Sequence, residues 1–139
     1  MSDIKLISWV YTSISDDGLQ AIENVRPFVT QALLNTSAEA YPQIFDGFDE
    51  ELPVYLLRCR ELGRPGLDQA YADRTYLTDE VIKRFSLAGT ADDCIAKVKE
   101  IQALGINDIW LRCFSAPRTE IEHEKVIVPF AQKVMPAFA

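Results

Sequence analysis

Phe85-Ser-Leu-Ala-Gly-Thr-Ala-Asp-Asp-Cys94, running on through Leu104-Gly105 to Ile109-Trp-Leu-Arg-Cys-Phe114, decides the fold. Thr90 has the chemistry of a helix N-cap: its hydroxyl can accept from the backbone N–H of Asp93, a donor that the start of a helix leaves unpaired. Asp92 and Asp93 fall in the first turn, where the helix dipole favours negative charge. Cys94, Ile95, Val98, Ile101 and Leu104 recur at helical spacing and form one apolar face. Gly105 comes next, where a left-handed residue ends a helix. From Asn107 to Phe114 the apolar period shortens to that of a strand. A capped helix, a tight turn and an apolar strand make half of a repeating β/α unit, so the chain reads as an α/β protein.

Upstream, Ile4–Ile14 is rich in β-branched and aromatic residues and nearly continuous in apolarity, as in a strand covered on both faces. Two apolar strands separated by helical crossovers are predicted to pair in parallel, with the helices 16–35 and 91–104 on the sheet's outer side. The first of these helices carries Leu19, Ile22, Val25, Phe28, Val29, Ala32 and Leu33 on one face, and Pro27 interrupts its hydrogen bonds. Between residues 36 and 84 no strand pattern appears. Pro42 and Gly47 punctuate a loop, residues 49–62 read as a helix, and shorter helices follow near 67–72 and 78–85. The reading is thus one α/β domain over 1–139, with a helical insertion at 36–84 between the two strands. Such length between strands often builds a lid or an interface.

Composition narrows the function. The net charge of -7 argues against nucleic acid, which needs a basic patch. No apolar run approaches the ~20 residues of a membrane span and no basic-then-apolar signal opens the chain, so a cytoplasmic location is expected. Cys59, Cys94 and Cys113 are widely spaced, and His123 is the single histidine, so no metal site is expected and the cysteines read as small buried hydrophobes. No P-loop, Gly-x-Gly-x-x-Gly or Ser/His/Asp set occurs.

The pattern Phe85-x-x-x-Gly89-Thr90-x-Asp92-Asp93, a helix, then Leu104-Gly-Ile-Asn-Asp-Ile-Trp-Leu-Arg112 resembles the C-terminal end of luciferase-like monooxygenases. The closing stretch Pro129-Phe-Ala-Gln-Lys-Val-Met-Pro136-Ala-Phe138 is similar to that family's last helix. The resemblance implies an α/β fold that is the C-terminal part of a (β/α)8 TIM-type barrel, here two parallel strands with several helices. It implies an oxidoreductase performing hydride transfer or monooxygenation with reduced coenzyme F420 or FMN on a small-molecule substrate. The family's main cofactor contacts come from earlier strands, and no residue here matches them. A complete barrel needs roughly 250 residues, so 139 residues imply its last quarter to last third. A homo-oligomer, or a chain supplying the missing strands, is then the expected partner. The alternative is a non-catalytic α/β fragment or association module that pairs with another chain.

Strand ends aim at the active site in a parallel barrel. Along the last strand Ile109, Leu111 and Cys113 share one face, and Trp110, Arg112 and Phe114 the other. The aliphatic face suits outer helices, which leaves Arg112 on the interior side between two aromatics. Its guanidinium can fork onto a substrate carboxylate or phosphate, or pair with an internal carboxylate. Trp9 and Tyr11, on the first strand, can line an isoalloxazine-sized or substrate pocket or belong to the core. Trp110, Arg112, Phe114 and Tyr11 are the candidate substrate residues; no catalytic residue can be named. Gly89 and Thr90 open a helix and are candidates for a cofactor phosphate, against the simpler reading of a cap.

Overall fold

A computed structural model describes residues 7–115 and 123–139. Residues 4–6 of the expected first strand, and residues 120–122 ahead of His123, lie outside the described residues. The elements are β1 (Ile7–Ile14), α1 (Gly18–Asn35), α2 (Tyr41–Ile44), α3 (Glu51–Glu61), α4 (Arg64–Ala72), α5 (Asp79–Arg84), β2 (Leu87–Gly89), α6 (Ala91–Ala103), β3 (Asp108–Cys113) and α7 (Val128–Lys133). The chain divides into two compact units, Met1–Val25 with Phe85–Ala139, and Arg26–Arg84.

In the first unit the sheet is parallel, with strand order β2-β1-β3. The sequence shows two strands, and the described residues form three. The addition, Leu87–Gly89, pairs with Thr12–Ile14 at the carboxyl end of β1. Three residues are too few to display a period, and they sit directly ahead of the cap, so the segment reads as a run-up to the helix. The main ladder joins β1 to β3, from Ile7 opposite Asp108 to Thr12 opposite Cys113.

One face of this sheet is sealed. Val10 and Ile14 of β1 pack with Leu87, Cys94 of α6, and Val126, Phe130 and Val134 of the C-terminal segment; Ile109, Leu111 and Cys113 of β3 flank them. Each fully buried aliphatic side chain contributes about 1.5–3 kcal/mol relative to an exposed one. Helix α6 is held at its start by a capping box: Asp93 N–H donates to Thr90 Oγ1 at 3.3 Å, and Thr90 N–H donates to Asp93 Oδ2 at 2.9 Å. Gly105 ends the helix with φ +81. At α1 the expected face is buried at Ile22, Val25, Val29 and Leu33, but Leu19 is exposed. Its contact with the sheet runs from Asn24 Nδ2 to Ser13 Oγ at 3.1 Å. Ser13 alternates onto the face opposite Val10 and Ile14, so this contact is not on the side that α6 covers. The last helix is broken rather than continuous: a π turn at His123–Ile127, then α7, then a 3-10 turn at Met135–Phe138. Pro129 and Pro136 lack the N–H that an unbroken helix requires.

The unit Arg26–Arg84 is helical. Residues 41–44, expected as loop, form the short helix α2, with Pro42 in its first turn where a missing N–H costs nothing. Arg26 is buried, donates to Leu77 O at 2.6 Å and pairs with Asp79. Tyr41 takes a hydrogen bond from Arg60 at 2.6 Å and gives one to Leu33 O at 3.0 Å. Its phenol is pushed above the ordinary value by burial, against the opposing pull of Arg60. Helices α3 and α4 meet at Gly66, where a Cβ would lie 1.8 Å from Cys59 O. No larger residue fits there.

Candidate functional site

The unsealed face of the sheet gathers the predicted substrate residues. The register sets Trp9 against Trp110 and Tyr11 against Arg112, and parallel partners point to the same side. Trp9 is 65% and Trp110 63% exposed, and Ile7 beside them is also open. The Arg112 guanidinium lies 4.5 Å from the Trp9 ring centroid and 5.6 Å from that of Tyr11. Tyr11 and Phe114 form a tilted ring pair at 6.0 Å, with Phe114 buried. The four residues therefore share one surface. Among the described residues Arg112 has no carboxylate within ion-pair distance and is steadied by rings, a contact worth about 0.5–1 kcal/mol when exposed.

A flat apolar floor with a cation clamped above it can hold a planar or anionic molecule by stacking and by the guanidinium fork. Trp9, read with Tyr11 as a candidate pocket aromatic, gains a contact that the sequence did not reveal. Its partnership with Arg112 follows from the inter-strand register, which no residue in either strand announces.

Gly89 and Thr90 sit elsewhere, at the start of α6. Both the N–H and the hydroxyl of Thr90 lie against Asp93 Oδ2, at 2.9 and 3.0 Å. Gly89 has φ +150, and a Cβ on it would lie 2.6 Å from that same oxygen. The helix start thus carries its own carboxylate, whose charge opposes an anion at this turn.

Cysteine chemistry is muted. Burial, aided by the charge of Asp93, pushes the Cys94 thiol up to about 12. Among the described residues no three His, Cys, Asp or Glu side chains assemble as a metal site, and no helix is long and apolar enough to cross a membrane. Beside β3, an apolar groove of about 660 Å³ runs between Val98, Ile109, Leu111, Phe130, Val134 and Phe138.

With that geometry in place, the fold finds a solved counterpart. The chain is similar to the coenzyme F420 dependent tetrahydromethanopterin reductase from Methanopyrus kandleri, with a TM-score of 0.73 at 20% identity. The match covers 98% of this chain and 36% of the reductase, so the chain spans little more than a third of that protein's length. No protein-family model matches the sequence, and no curated protein does either. At this identity the likeness establishes the fold.

Proposed function

We propose that this chain is the C-terminal part of a (β/α)8-barrel oxidoreductase of the luciferase-like class, working with coenzyme F420 or FMN. The observation that carries this reading is the open face of Trp9, Tyr11, Trp110 and Arg112 on two parallel strands, in a fold shared with an F420 dependent reductase. The cofactor, when bound, supplies hydride transfer or oxygen activation, and the protein supplies orientation. In this reading Trp110, Tyr11 and Phe114 form the apolar wall beside the substrate, and Arg112 takes its anionic group. Gly89 and Thr90 serve the cap of α6 instead of a phosphate, and the cofactor is held by strands that residues 1–139 do not include.

The remaining strands of such a barrel lie outside residues 1–139. β3 has no partner on its outer side among the described residues, and the apolar groove flanks it. That combination suits the strand and helix of a further β/α unit. It also favours the second reading, an association module without chemistry, which differs in lacking any cofactor. A titration of the associated protein with F420 and with FMN, followed by cofactor fluorescence, separates the two. Saturable binding by the associated form and little by the dilute chain supports the oxidoreductase. In that form Arg112→Met is expected to weaken an anionic substrate about tenfold or more while leaving cofactor affinity near wild type. Absence of binding of either cofactor by the associated form overturns it.

A further inference from the structure

The two indoles of the open face are used differently. Trp9 and Trp110 are register partners on neighbouring parallel strands, so their side chains rise about 4.8 Å apart on the same side of the sheet. The Arg112 guanidinium lies 4.5 Å from the Trp9 ring centroid. Trp110 is just as exposed, and among the described residues no ring or cation lies over it. One indole therefore anchors a cation, and the other leaves a π face open beside it.

That pairing selects its ligand. Arg112 is exposed on β3, and attraction to the Trp9 ring leaves its fork of N–H donors available to an acid group. The open Trp110 ring offers offset stacking to a flat conjugated system. An aliphatic acid would use the cation and waste the ring. A neutral aromatic would use the ring and desolvate the cation without pairing it, which is costly. A flat ring with an acid group one strand spacing away satisfies both at once.

We infer that the open face binds a planar aromatic acid, its ring laid on Trp110 and its carboxylate received by Arg112. Trp9 is a positioning residue: it holds the guanidinium beside Trp110. This names a substrate class for the oxidoreductase reading and rests on that reading for calling the ligand a substrate. The binding itself needs no cofactor.

The test follows the two indole N–H signals of the dilute, nitrogen-15-labelled 139-residue chain by NMR; both tryptophans of the chain lie on this face. The probes are 2-naphthoate, the neutral 2-naphthalenemethanol and the saturated decalin-2-carboxylate. 2-Naphthoate is expected to shift both signals saturably, with a millimolar or tighter Kd, and the other two to bind at least about fivefold more weakly. Arg112→Met should erase the advantage of the acid over the alcohol. Trp110→Leu should erase the advantage of the aromatic acid over the saturated one. Trp9→Leu should weaken 2-naphthoate about threefold and leave the alcohol unchanged, with Trp9→Phe restoring the acid, a pattern that a merely structural role would not produce. No saturable shift with 2-naphthoate, equal affinity for the three probes, or an acid preference that survives Arg112→Met overturns the proposal. Indole signals that move with protein concentration but not with any probe overturn it too, and make the face an association surface. The cofactor titration fails separately: 2-naphthoate binding without cofactor binding upholds the site and sinks the redox reading, whereas cofactor binding without 2-naphthoate binding sinks the substrate class alone.

Discussion

The two faces of the same sheet are built from alternate residues of the same strands, yet they differ in almost every physical respect. On one, Val10, Ile14, Leu87 and Cys94 lie under α6 and the C-terminal segment. On the other, Trp9 and Trp110 stand largely in solvent with Arg112 between rings. Burial explains the first face at Val10, Ile14, Leu87 and Cys94, which are removed from water, while Ile109 and Leu111 on the same side are half-buried beside the apolar groove. It cannot explain the second, since large aromatics left exposed gain nothing in the isolated chain. The contrast teaches that the sealed face makes the fold, while the exposed aromatics of the open face find their use only in the proposed association and ligand binding.

Substitutions that separate the two faces should differ in what they damage. The largest loss is expected at Leu87, which is fully buried: Leu87→Ala should cost about 2–5 kcal/mol in denaturant unfolding. Gly89→Ala comes next, at about 1–3 kcal/mol, because it forces a side chain into a left-handed backbone and against Asp93. Thr90→Ala should cost about 1 kcal/mol by removing one arm of the capping box. The Cys94 thiol makes stability depend on alkaline pH. Its raised value means folding favours the neutral form, so its contribution is full below the ordinary 9.0 and is lost as pH climbs toward about 12. Unfolding measured against Cys94→Ala should show that alkaline loss only in the wild type. On the open face, Trp110→Ala should change the stability of the dilute chain by no more than about 0.5 kcal/mol. A large destabilisation there would erase the distinction between the faces.

Much of the sealed face was legible in the sequence. Helix α6 announced itself at both ends, through Thr90 with Asp93 and through Gly105, and the parity of Ile109, Leu111 and Cys113 pointed to the covered side. β2 was hidden because its strand character comes from pairing with Thr12–Ile14 and not from its three residues. The short helix at Tyr41–Ile44 was hidden behind Pro42, whose ring both breaks helices and suits their first turn. For the open face, alternation grouped Trp110, Arg112 and Phe114, but their meeting with Trp9 and Tyr11 depends on register.

Both tryptophans of the chain lie on the open face, so their fluorescence reports on that surface alone. Acrylamide quenching of tryptophan emission, measured across a dilution series and matched to sedimentation of the same samples, tests whether that face is made to be covered. Strong quenching in the dilute chain, falling sharply as the protein associates with itself or with a chain supplying further strands, is the predicted result. A chain that stays monomeric at high concentration, or associates with its tryptophans still fully open to quencher, would contradict it.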